Sequence, residues 1–116
     1  MTETNTGLER QQCNNLSADD TALSKEESSQ LLAQLNPQWS LDQDKQTISH
    51  TYSFNNYYQT MAFVNVIAQI AHQQDHHPEL LVSYKQCKVA YSTHSVSGLS
   101  INDFICAAKI NAAQTL

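Results

Sequence analysis

Positive charge is scarce in this 116-residue chain: six Lys and Arg stand against eleven Asp and Glu, the net charge is −5, and the cations form no cluster. A surface that tracks phosphates needs such a cluster, so direct binding to nucleic acid or to an anionic membrane is not expected. Cysteine is limited to Cys13, Cys87 and Cys106, far apart and in no CxxC arrangement. That supports neither a disulfide framework nor a thiolate zinc site, and the three read as reduced cytosolic thiols. The first dozen residues lack a basic stretch followed by an apolar one, and no run approaches the roughly 18 apolar residues of a membrane span. The expectation is a cytoplasmic protein. Glycine occurs only at Gly7 and Gly98, so the bend between Thr93 and Ser100 is expected to depend on Gly98.

What remains is one domain's worth of patterned sequence behind a polar leader. From Thr2 to Asp20 the residues are mostly Thr, Asn, Gln, Ser, Asp and Glu, a composition that does not offset its own ordering entropy, and residues 1–21 are read as a flexible leader to a domain at 22–116. Ser24 followed by Glu27 has capping-box spacing, and Leu31, Leu32 and Leu35 give an apolar stripe before Asn36-Pro37, so a first helix is predicted over Lys25 to Leu35. Trp39 and Leu41 alternate with polar residues, and after a turn at 42–45 so do Ile48, His50, Tyr52 and Phe54; two antiparallel strands fit. Asn56 is a plausible N-cap for a long apolar helix carrying Tyr57, Met61, Val64, Ala68 and Ala71, widened by Phe63, Val66, Ile67 and Ile70 and stopped before Pro78. Leu80, Val82 and Tyr84 then alternate as a third strand and Cys87, Val89 and Tyr91 as a fourth, and Ser100 caps a last helix with Asp103 at its third position. The predicted fold is α+β, in the order α-β-β-α-β-β-α: a four-stranded antiparallel sheet with three helices on one face.

Three of the five histidines fall in two phrases, Asp75-His76-His77-Pro78 and Ser92-Thr93-His94, separated by what reads as a β-hairpin. A hairpin brings its two ends together, and imidazole, with an ordinary pKa of about 6.5, suits proton transfer near neutrality, so an enzyme using acid and base chemistry is the leading reading. The plainer readings are a solvated helix edge for the stripe Asn65, Gln69, His72 and His76, and a hydrogen-bonded loop histidine for His94. His72 and His76 also have the i, i+4 spacing of zinc-binding helices, but His72-Gln-Gln-Asp-His76 lacks the glutamate of HExxH. No metal is expected. Asp103 has an ordinary role as a first-turn carboxylate favoured by the helix dipole, Cys87 and Cys106 sit in apolar patterns that favour inert burial, and His50 reads as structural.

These residues match a known pattern. Pro37-Gln38-Trp39, Tyr52-Ser53-Phe54-Asn55-Asn56-Tyr57, Asp75-His76-His77-Pro78-Glu79, Tyr84, Ser92-Thr93-His94 and Gly98-Leu99-Ser100-Ile101-Asn102-Asp103-Phe104 occur in order from about Leu23 to Ala108. In these the chain resembles the pterin-4a-carbinolamine dehydratases, in particular their bacterial forms. The resemblance implies dehydration of 4a-hydroxytetrahydropterin to quinonoid dihydropterin, recycling the pterin of aromatic amino-acid hydroxylases, with the pterin as substrate and no cofactor of the protein's own. It implies proton transfer by His76 and His94, substrate binding and polarisation by His77, and pterin contacts from Asp75, Ser92, Thr93 and Ser95. Asp103 and His72 take supporting parts, His72 standing where many members have glutamate. It further implies a homodimer or homotetramer and a functional association with a hydroxylase. A pterin-binding module that regulates a hydroxylase or transcription, with incidental activity, is the alternative.

Overall fold

The structure, a computed structural model, describes residues 7–35 and 37–114. Its regular elements are α1 (Lys25–Leu32), β1 (Ser40–Asp42), β2 (Thr47–Ser53), α2 (Tyr57–Gln74), β3 (Glu79–Val82), β4 (Gln86–Tyr91) and α3 (Ile101–Gln114), the order and class predicted from the sequence. The sheet is antiparallel throughout with strand order β1-β2-β4-β3, so the two hairpins join through their inner strands. That pairing sets Ile48 opposite Tyr91, His50 opposite Val89 and Tyr52 opposite Cys87. All six are buried, and they form the sheet's contribution to the core beneath the helices.

Local chemistry explains most boundaries. Ser24 accepts from the Glu27 amide while the Glu27 carboxylate accepts from the Ser24 amide, a complete capping box. The helix is shorter than predicted because its end tightens: Gln34 and Leu35 donate to the carbonyls of Leu31 and Leu32, three residues back, which still delivers Leu35 to the core. Asn36 lies outside the described residues. Asn56 caps α2 through the Gln59 amide. The buried face of α2 is Thr60, Phe63 and Ile67, whereas Tyr57, Val66 and Ala68, read from the sequence as part of one apolar face, are exposed. Tyr84 likewise lies beyond β3 in the hairpin turn and is exposed.

The bend between Thr93 and Ser100 needs Gly98 for space, since a Cβ there would lie 2.9 Å from the Ala22 Cβ, while the left-handed residue of the bend is Ser97, φ 54°. The expectation for the leader is corrected. Its described part packs on the domain: Leu8, in a single-turn 3-10 helix at Leu8–Arg10, is 4% exposed and joins the core cluster. The Cys13 amide donates to Gln74 on α2, Asn14 and Asn102 exchange two hydrogen bonds of 2.9 Å, and Lys109 reaches the Glu9 carbonyl. Polar composition misleads here because one leucine and several backbone groups suffice to dock an extended segment. The segment lies along α3, whose Phe104, Ile105, Cys106, Ala107 and Ile110 are all buried. Among the described residues no helix is long and apolar enough to cross a membrane.

Candidate active site

α2 ends two residues before the first histidine of the paired phrase. Asp75 takes a left-handed conformation, φ 52°, tolerable for its short polar side chain, and the His76 amide donates back to the Ala71 carbonyl. The chain therefore leaves the helix at Asp75, and His76 does not continue the stripe of Asn65, Gln69 and His72. The i, i+4 metal-type pair of His72 and His76 is consequently not built on a helix. His72 is exposed in the last turn of α2 and does not line the cleft described next.

Glu79, the first residue of β3, pairs with Ala90 near the end of β4, so the segments before β3 and after β4 meet at one end of the sheet. Between them lies a cleft of about 530 Å³. One wall is Asp75, His76 and His77; the other is Ser92, Thr93, His94 and Ser95; Thr47, Glu79 and Ala90 complete it from the strands. The hairpin thus unites all seven residues expected to contact substrate. His94 begins a single-turn 3-10 helix, His94–Val96, in a loop pinched at its neck by reciprocal backbone bonds between Thr93 and Gly98. His77 and His94 are both exposed.

His76 is held from behind. Its Nε2 lies 2.7 Å from Oδ1 of Asp103, a residue with no exposed surface, while the ring itself is 13% exposed. The other Asp103 oxygen accepts from the Thr93 hydroxyl at 2.8 Å and the Ser100 amide at 2.9 Å, and the Thr93 and Ser100 hydroxyls are themselves 2.7 Å apart. Tyr91 stacks on the imidazole at 5.3 Å and 17°. Burial by itself disfavours the charged imidazolium, but the hydrogen bond and negative charge of Asp103, aided by Asp75, outweigh it, and the His76 pKa is raised above its ordinary 6.5. With Nε2 committed to Asp103, Nδ1 is the nitrogen left to exchange a proton with a bound molecule. The arrangement is an imidazole of fixed orientation and biased charge at the edge of a cleft that two exposed imidazoles also line.

Several participants were not visible as site residues in the sequence. Ser100 looked like a helix cap and Tyr91 like a core strand residue; their part in fixing Asp103 and His76 follows from tertiary contacts that bring the start of α3 against His76 and Thr93 and set Tyr91 on the His76 ring. Thr47 reaches the cleft only because β2 pairs with β4. Thr93 was expected to contact substrate, and it does line the cleft, but its hydroxyl is spent on Asp103 and Ser100. Among the described residues no group of three or more His, Cys, Asp or Glu is arranged to hold a metal ion.

The family model described as pterin 4 alpha carbinolamine dehydratase matches residues 21–113. A protein of Nitrosomonas eutropha assigned by name to pterin-4-alpha-carbinolamine dehydratase is 57% identical over 89 residues, 77% of each chain. One from Legionella pneumophila with the same assignment is 46% identical over 104 residues, 90% of this chain and 92% of the relative. Among solved structures, a transcriptional coactivator/pterin dehydratase from Brucella melitensis superposes with a TM-score of 0.75 at 28% identity, covering 79% of this chain and 97% of that one.

Proposed function

The chain belongs to the pterin 4 alpha carbinolamine dehydratase family, a family of hydro-lyases, and from that membership we propose that its cleft dehydrates 4a-hydroxytetrahydropterin by histidine acid and base catalysis. The observation that carries the reading is the convergence of His76, His77 and His94 on one cleft, with His76 anchored on a fully buried carboxylate. Loss of water from C4a requires a proton delivered to the departing hydroxyl and a proton taken from a ring N–H, leaving quinonoid dihydropterin. His76, held toward its charged form by Asp103, suits delivery; His94, carried by the other connection and exposed, suits removal. Each such transfer contributes about 10² to 10⁴ in rate. His77 binds and polarises the substrate, and Asp75, Ser92 and Ser95, with backbone groups around Thr93, meet the donor and acceptor edge of the pterin. The pterin is the substrate, and the scheme uses no metal or other cofactor.

On this reading the protein acts in the cytoplasm and returns pterin to an aromatic amino-acid hydroxylase. It does so as a homodimer or homotetramer, a state supported by the exposed Leu81 on edge strand β3 and the neighbouring exposed Tyr57, Tyr58 and Tyr84. The test is stopped-flow decay of 4a-hydroxytetrahydropterin with the uncatalysed rate subtracted. His76→Ala and His94→Ala should each lower kcat by about 10² or more, and His77→Ala should raise KM more than it lowers kcat. Folded single variants with undiminished kcat refute the roles, and a wild-type protein that binds pterin without turning it over favours a regulatory binding module instead.

A further inference from the structure

The family reading leaves Cys13 and Cys106 without a part. They are 93 residues apart in sequence, yet their sulfurs are 3.6 Å apart. The approach is fixed from several directions. The Cys13 amide is held by Gln74, the adjacent Asn14 is locked to Asn102 by two hydrogen bonds, and Asn102 is one helical turn before Cys106 on α3. Cys13 is partly exposed and Cys106 has no exposed surface. Cys106 also points toward the back of the cleft wall, its sulfur 4.0 Å from the His76 carbonyl oxygen.

We propose that Cys13 and Cys106 are a dithiol–disulfide pair, oxidised by a low-molecular-weight disulfide such as glutathione disulfide, that staples the N-terminal segment to α3 behind the histidine-bearing wall. The sulfurs must close by about 1.5 Å to reach the bonding distance of about 2.05 Å, within reach of small side-chain rotations. The order of events follows from exposure. The Cys13 thiolate attacks one sulfur of glutathione disulfide, breaking its S–S bond and releasing one glutathione, which takes up a proton. Cys106 then gives up its proton to solvent and its sulfur attacks that of Cys13, expelling the second glutathione as its thiol. The two protein thiols are oxidised and the glutathione disulfide is reduced to two thiols.

The charges agree with this order. The hydrogen bond with Cys106 holds the Cys13 thiol below its ordinary pKa of 9.0, with help from Lys109 and against burial. The same contact and burial push Cys106 up. Cys13 is therefore the attacking thiol and Cys106 the resolving one. Cys87, buried on β4, has no partner thiol within the described residues and serves as an internal reference.

The experiment uses the full chain incubated with glutathione disulfide or with reduced glutathione. The expected product has one titratable thiol in denaturant in place of three, a monomer mass lower by the two thiol hydrogens, and a Cys13–Cys106 cross-linked peptide in a non-reducing digest. Closing so long a loop should raise Tm by about 10 °C or more, reversibly with dithiothreitol. Cys106→Ser should stop at a glutathione adduct on Cys13, and Cys13→Ser, at a partly exposed position that leaves the core intact, should keep both remaining thiols. A wild-type protein that accumulates the Cys13 adduct, links Cys13 between two chains, or keeps three free thiols overturns the proposal.

Discussion

Asp103→Asn isolates what the buried carboxylate does for His76. The carboxylate serves two clients: Oδ1 meets Nε2 of His76, and Oδ2 accepts from the Thr93 hydroxyl and the Ser100 amide. Asparagine has one acceptor oxygen. The Ser100 amide can only donate, so that oxygen must stay on the Ser100 side and the new NH₂ must face His76. It can be met only by an unprotonated Nε2, which forces the proton onto Nδ1 and disfavours the imidazolium. A hydrogen bond to a charged group contributes about 1.5–3 kcal/mol, a factor of about 10 to 10² in the population of the competent form. Because a neutral imidazole N–H is also a far weaker acid than the imidazolium, kcat should fall by about 10² to 10³. The two largest effects that oppose burial are then gone and only smaller ones such as the Asp75 charge remain, so the His76 pKa should fall from its raised position. Because the folded-state pKa of wild-type His76 is raised, the pair's stabilisation is complete below about pH 6.5 and fades as pH climbs through the folded value. The Tm gap between wild type and variant should accordingly be widest near pH 6 and narrow by pH 9. Stopped-flow kinetics, NMR titration of the His76 ring and thermal scans on the same samples check this. A folded variant with wild-type kcat and an unchanged His76 titration would refute the coupling of Asp103 to the reaction.

Removing residues 1–14 should lower Tm by about 10 °C, because it exposes the surface under Leu8, worth about 1.5–3 kcal/mol, and strands the Asn102 and Gln74 side chains at about 1 kcal/mol each. An unchanged calorimetric transition would show that the segment is not docked in solution. Gly98→Ala should destabilise through its 2.9 Å encounter with the Ala22 Cβ, and pairing it with Ala22→Gly should recover much of the loss. Additive losses in chemical denaturation would show that backbone conformation, not space, is what Gly98 provides.

The element order was legible because each segment carries its own signal. The capping box at Ser24, the cap at Asn56 and the period-two runs of β2 and β4 depend on neighbours a few residues away, and the histidine phrases flank a hairpin whose closure is itself local. Sequence alone therefore determined that His76, His77 and His94 meet. It did not determine what stands behind them. The same residues that advertise a helix cap, Ser100 and Asp103, become the anchor of His76 only because the start of α3 is brought against the connection between α2 and β3, a contact between residues 27 positions apart. Nor does periodicity reveal that α2 ends in a left-handed Asp75 and so removes His76 from the face shared with His72. The leader shows the limit most clearly. Its composition is that of a free tail, and only the tertiary structure, by offering α3 a surface that a single leucine and a few backbone groups can cover, decided that it docks and that Cys13 arrives beside Cys106. Local hydrogen bonding and side-chain period are written residue by residue; which surface is left uncovered, and what fits it, exists only once the chain is folded.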